Sequence, residues 1–206
     1  MYRLKPALQF LLRPVARWVA DHGGTANQVT MLALVGSLVV GAVLAAMGTA
    51  SPKVWLLLPT WMAVRMALNA LDGMLARIYA QESHAGAYLN ELADVGSDAA
   101  LILPLALHPS FSPTLVVVMA LLASWTELAG VLGPSVGASR RHEGPMGKSY
   151  RALVLGLLAV WAQVTAGRRE QDLQHRQQEF ITRVTHELKT PLAGIRVMAE
   201  TLQLGA

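Results

Sequence analysis

The sequence predicts an all-α protein: a polytopic membrane helical bundle, preceded by a helix lying in the membrane interface and followed by a coiled-coil-like helix. Three observations lead there. Of 206 residues, 53% are hydrophobic and only 15% charged, with a mean hydropathy of +0.41, a balance that favours several membrane spans over a soluble core. Apolar runs recur along the chain at or near the roughly twenty residues that a helix needs to cross a bilayer. The basic residues sit between and beside those runs.

Residues 2–20 place Leu4, Leu8, Leu11, Leu12, Val15, Trp18 and Val19 at helical spacing, with Arg3, Lys5, Arg13 and Arg17 for the polar side. That is the pattern of an interfacial helix, which Pro6 and Pro14 are expected to bend or break. The pair Gly23-Gly24 ends it, and Thr25 or Asn27 supplies a cap for the next helix.

Five spans are predicted: residues 29–46, 54–71, 92–107, 115–131 and, shortest, 152–166. Arg3, Lys5, Arg13 and Arg17 precede the first, Arg77 follows the second, and Arg140, Arg141, Lys148 and Arg151 follow the fourth. On the opposite side the first loop carries only Lys53, and the turn from Pro109 to Pro113 has no acidic or basic side chain. By the positive-inside rule, the N-terminus, the segment 72–94 and the segment 140–151 face the cytoplasm. The protein is thus expected in a bacterial inner membrane, multi-pass, with its polar site open to the cytoplasm.

Composition excludes other classes. A net charge of +4 could suit nucleic acid, but basic residues flanking apolar runs point to anionic lipid and phosphorylated substrates, and no nucleic-acid partner is expected. With no cysteine there are no disulfides and no thiolate metal sites. The amphipathic start has no apolar region followed by a small-residue cleavage site, so no signal peptide is read. His22, His84, His108, His142 and His175 have no mutual ligand spacing, and no P-loop, dinucleotide fingerprint or nucleophile elbow occurs.

The densest polar chemistry lies at Asn69-Ala-Leu-Asp72-Gly73-Met-Leu-Ala76-Arg77 and Gly86-Ala-Tyr-Leu-Asn90-Glu-Leu-Ala-Asp94. Asn69 and Asp72 are three residues apart and Asn90 and Asp94 four, so each pair shares a helix face, and two helices can aim four oxygen-bearing side chains at one point. Such a set suits a hard divalent cation carrying phosphate oxygens, with Gly73 and Ala76 keeping the wall low and Arg77 offering a fork to phosphate. Arg65, Asp98 and Glu127 are further ionisable residues at membrane depth, where they face a bundle interior or a wet cavity; a structural pair of Arg65 with Asp98 is one reading.

These residues resemble the CDP-alcohol phosphotransferase (CDP-alcohol phosphatidyltransferase) family, whose motif is Asp-x2-Asp-Gly-x2-Ala-Arg-x8-Gly-x3-Asp-x3-Asp. Asn69, Asp72, Gly73, Ala76, Arg77, Gly86, Asn90 and Asp94 match its register, Thr25 to Thr30 resembles the lead into its first span, and Gly147-Lys148 its basic phosphate-binding loop. The resemblance implies a CDP-linked lipid donor, an alcohol acceptor, Mg2+ or Mn2+, and release of CMP in phospholipid biosynthesis. It assigns metal binding to Asn69, Asp72, Asn90 and Asp94, proton abstraction from the alcohol to Asp94, and substrate contacts to Gly73, Ala76, Arg77, Gly86 and Lys148. Asn69 and Asn90 stand where the family has aspartates; an amide gives a metal an oxygen but no charge, so a two-metal cluster would be weakly held unless Asp98 or Glu91 substitutes, and the alternatives are one metal, an altered donor or a catalytically weakened relative. The family usually has six spans.

After residue 166 the composition turns polar, and Phe180 to Leu192 contains His186-Glu-Leu-Lys-Thr-Pro191. This resembles the phosphoacceptor box of sensor histidine kinases. Leu173, Phe180, Val184, Leu188, Ile195, Met198 and Leu202 repeat at threes and fours, as on one helix of a dimeric four-helix bundle, so a homodimer is expected, with His186 off the seam. No ATP-binding domain follows in this sequence, so the tail is expected to accept phosphate from another protein or to serve as a partner helix. The organisation read is therefore 1–166, a transferase-like membrane domain, and 167–206, a kinase-like helix. Five spans would put that tail outside the cytoplasm; a re-entrant 152–166 would bring it back.

Overall fold

The computed structural model describes the backbone of residues 4–132 and 148–204, and among these every regular element is helical. Arg140, Arg141 and Gly147, and the side chains of Lys148, Arg151 and His186, lie outside what is described. Two compact units are present, Met1–Val164 and Thr165–Ala206.

In the first unit, α1 (Leu4–Asp21) runs through Pro14 without a break. Gly23, at φ +75, supplies the left-handed residue that reverses the chain after it. Leu12 and Val19 pack with Ala16 against Leu71, Met74 and Leu75 of a later helix, leaving Leu11, Val15 and Trp18 exposed beside Arg13 and Arg17, the two-faced arrangement expected at an interface. Thr25 then caps α2 (Ala26–Met47) with a full capping box: its hydroxyl accepts from Gln28 N–H, and the Gln28 side chain accepts from Thr25 N–H.

A 3-10 turn, Pro52–Leu56, leads into α3 (Leu57–Ile78). Ser83 caps α4 (His84–Ile102), which continues as a 3-10 turn, Leu103–Leu107; α5 (Pro113–Leu132) follows, and α6 is Lys148–Leu204. The helices reach beyond the apolar runs that predicted them. The second apolar run stops at residue 71 but α3 continues to Ile78, and the third begins at residue 92 but α4 starts at His84, because capping and backbone bonding, not hydropathy, set where a helix ends.

Besides its apolar clusters, the bundle buries charge and exposes large apolar side chains. Arg65, Asp72, Asp94, Asp98 and Glu127 are buried, whereas Leu32, Leu38, Val39, Leu115, Leu121, Trp125 and Leu128 are exposed, as lipid-facing residues are. Among the described residues, Ala26–Met47, Pro52–Ile78 and Pro113–Leu132 are long and apolar enough to cross a membrane. Two glycines set close approaches. A Cβ on Gly41 of α2 would lie 2.2 Å from the Ala100 carbonyl oxygen of α4, and one on Gly36 would run into the ring of Trp61, whose Nε1 donates to Ser37 Oγ at 2.9 Å. Arg65 and Asn69 fall on α3 between Met62, part of the larger apolar cluster, and Leu71, part of the smaller.

Candidate active site

The first half of α2, the last half of α3, the first half of α4 and the last turns of α5 meet at one end of the bundle, as the alternating direction of the helices requires. The chain pins that end with Gln81, whose side-chain oxygen accepts from Ala26 N–H at 2.7 Å and whose Nε2 donates to the Gly24 carbonyl at 3.2 Å. The loop after α3 is thereby clasped to the start of α2.

Asp72 is buried, and its Oδ2 accepts a 2.9 Å hydrogen bond from Thr30 Oγ1 on α2. The Ala26 carbonyl lies 3.1 Å from the same hydroxyl, whose single proton is shared between the two acceptors, the carboxylate being the nearer. One turn before Asp72 on α3, Asn69 Nδ2 donates to Asp94 Oδ1 at 3.2 Å, so the two halves of the motif are joined directly. A carboxylate only accepts, so the amide must turn its nitrogen to Asp94 and its oxygen elsewhere.

The same Asp94 oxygen accepts from Arg65 Nη2 at 3.0 Å, while Arg65 Nη1 bonds Asp98 Oδ1 and Nη2 also reaches the Asp94 carbonyl. The structural pair of Arg65 with Asp98 read from the sequence is thus present, and it extends to Asp94. One oxygen each from Glu91, Asp94 and Glu127 also lie within 4.8 Å of one another; Glu91 is half-buried, Asp94 and Glu127 are buried. Sequence reading named Glu91 as a substitute acid and Glu127 as a membrane-depth charge, but had no signal that α5 would bring Glu127 to Asp94.

Arg77 is exposed; its Nε donates to the Gly73 carbonyl at 2.9 Å, and a Cβ on Gly73 would come 2.9 Å from Arg77 Nη2. Gly73 is the floor on which this guanidinium lies. A Cβ on Gly86 would lie 2.7 Å from Asn27 Oδ1 and 2.9 Å from Ser83 Oγ, so Gly86 admits Asn27 of α2 to the first turn of α4. Ala76 and Asn90 are half-buried on the same helix segments as Arg77 and Asp94. The donors present, buried carboxylates beside amide and hydroxyl oxygens, fit a hard divalent ion.

Comparison with known proteins agrees with this geometry. Residues 24–170 match the family described as CDP-alcohol phosphatidyltransferase, and residues 176–205 match the His Kinase A (phospho-acceptor) domain. The chain is similar to "Inner membrane protein YnbA" of Escherichia coli (strain K12), 46% identical over 157 residues, which cover 76% of this chain and 77% of that protein. A buried polar site on a motif in register, inside a helical bundle and within a match over most of the chain, leads to one conclusion: the protein belongs to the CDP-alcohol phosphatidyltransferase family.

Proposed function

We propose that the protein transfers a phosphatidyl or related phospho-alcohol group from a CDP-linked lipid donor to the hydroxyl of an alcohol acceptor, releasing CMP, as a step of phospholipid biosynthesis in a bacterial inner membrane with the site facing the cytoplasm. The observation that carries this reading is the Asn69–Asp94 hydrogen bond, which sets the two halves of the motif face to face. The membrane assignment draws on the three apolar helices and on the printed name of the Escherichia coli relative.

In this reading Asp94 takes the proton of the acceptor hydroxyl. The hydroxyl oxygen bonds to the phosphorus that carries the lipid, the bond from that phosphorus to the bridging oxygen breaks, and CMP leaves with the electron pair. Arg77, held low over Gly73, and Lys148 bind phosphate oxygens as charge shifts onto the departing group. Thr30 and Arg65 hold Asp72 and Asp94 in place. Mg2+ or Mn2+, which Asp72 and Asp94 would hold with oxygens of Asn69 and Asn90, supplies neutralisation of the diphosphate charge. The test is metal-dependent CMP release from CDP-diacylglycerol by the purified protein with a panel of alcohols. Release that disappears in Asp72→Asn supports the reading, and no release with any alcohol overturns it.

A second reading rests on the separate match at residues 176–205. There the protein is a signalling membrane protein that accepts phosphate on His186. A histidine kinase that labels the chain but not His186→Ala supports it; equal labelling of both rules it out.

A further inference from the structure

We infer that Gln81, which lies between the two halves of the motif, is a positioning residue for the transfer: its clasp on the start of α2 seats the short stretch that touches both halves. The inference rests on the transferase reading of that motif.

Residues 26–30, the opening of α2, meet the site in three separate ways. Thr30 Oγ1 donates to Asp72 on α3 at 2.9 Å. Asn27 Oδ1 stands 2.7 Å from where a Cβ on Gly86 of α4 would be, a place open to it because Gly86 has no side chain. The third contact is Gln81 itself, in the loop joining α3 to α4, which accepts from Ala26 N–H and donates to the Gly24 carbonyl. An amide has one accepting end and one donating end, and only this orientation of Gln81 gives oxygen to the N–H and nitrogen to the carbonyl. The N–H groups of Thr25 and Gln28 are satisfied within the capping box, whereas that of Ala26 reaches out to another segment.

The backbone is bent to present Gln81. Its own N–H bonds the Ala76 carbonyl at 3.0 Å, closing the end of α3, and the intervening Ala80 takes φ +52, in the left-handed region. Glycine is the usual residue there, and an alanine persists in that conformation only where its surroundings hold it. Ala80 is exposed, so the turn is held by the bonding of the residue after it. Arg77 lies one turn before Gln81, and Ser83, the cap of α4, lies two residues after it. A displacement of Gln81 is thus passed to the ends of both helices that carry the motif, and to Thr30 and Asn27 through Ala26.

The experiment uses the full-length protein in detergent and reads amide hydrogen exchange at residues 26–30, the melting temperature, and kcat and KM for CMP release from CDP-diacylglycerol, well below the melting transition. Gln81→Ala is expected to speed exchange at residues 26–30 on the order of fivefold and to lower kcat by about the same factor, the effect of losing one hydrogen bond, with KM within about twofold. Gln81→Glu keeps the acceptor for Ala26 N–H and is expected to stay within about twofold of the parent in kcat. Ala80→Gly, which takes the same turn without strain, is expected to retain kcat and to melt no lower. Added to Thr30→Val, Gln81→Ala is expected to lower kcat little further, because both act on one contact. If Gln81→Ala is not recovered folded, Gln81→Met, which keeps the length of the side chain without either bond, is read in the same way.

A Gln81→Ala protein that melts lower but keeps the parental kcat overturns the inference, because the clasp then serves stability alone. Losses that multiply in the double variant overturn it too, as does unchanged exchange at residues 26–30. No CMP release by the parent from any alcohol overturns the transferase reading and the positioning role together; release by the parent that is indifferent to Gln81 overturns the positioning role alone.

Discussion

Thr30 and Asp72, 42 residues apart in sequence, share a buried 2.9 Å hydrogen bond that ties α2 to the motif on α3. Thr30→Val keeps the shape and removes the donor. A hydrogen bond to a charged group is worth about 1.5–3 kcal/mol. CMP release is therefore expected to fall roughly tenfold or more in kcat/KM, with Thr30→Ser close to the parent. Steady-state kinetics of the two variants check it.

Asn69→Asp replaces a donor 3.2 Å from Asp94 Oδ1 with a second carboxylate. In EDTA the variant is expected to lose about 1–3 kcal/mol of stability, the cost of spoiling a buried polar contact. Mn2+ is expected to raise its melting temperature more than it raises that of the parent, because the added charge then has a cation to meet. Melting curves across a Mn2+ series measure both effects.

Arg65 is the cation shared by Asp94 and Asp98. Removing one member of a buried pair strands the other, at about 3–5 kcal/mol. Arg65→Met is thus expected to unfold far more readily, and Asp98→Asn added to it is expected to restore part of the loss. A double-mutant cycle by denaturant titration in mixed micelles gives the coupling between the two sites.

Gly41→Ala would place a methyl group 2.2 Å from the Ala100 carbonyl oxygen, a contact with backbone that cannot swing aside. Overpacking of this kind costs about 3 kcal/mol. Gly167→Ala, in a helix and with nothing within 4 Å of the new carbon, is expected to be neutral or to stabilise by about 0.5–1 kcal/mol. The contrast, read as melting temperatures, separates close helix contact from helix propensity.

Residue spacing made much of this legible. Asn69, Asp72, Asn90 and Asp94 could be placed on facing helix surfaces from their intervals, and Arg65 could be paired with Asp98 because a buried charge needs a partner. Thr25 could be read as a cap for the same local reason. The limits of the reading are physical as well. Hydropathy marks where a helix meets lipid, so it missed the polar turns of α3 and α4 that hold Arg77 and Gly86. Glu127 and Thr30 were visible as residues but not as members of the site, because which face of α5 or α2 packs inward depends on the whole bundle. Gly41 and Gly36 lack a strict four-residue repeat, so the close contacts that they permit had only a weak sequence signal.

The Arg65 ion pairs also bear on how the chain enters a bilayer. A charged residue near the middle of a helix costs about 2.5–3.5 kcal/mol on insertion, and α4 carries Asp94 and Asp98 within one turn of each other, while α3 carries their counter-charge. Threaded one at a time, each helix would take its charge into hydrocarbon alone. Brought in together, α3 and α4 offset these charges through the Arg65 pairs, and the short loop through Gln81 keeps the two helices within reach of each other.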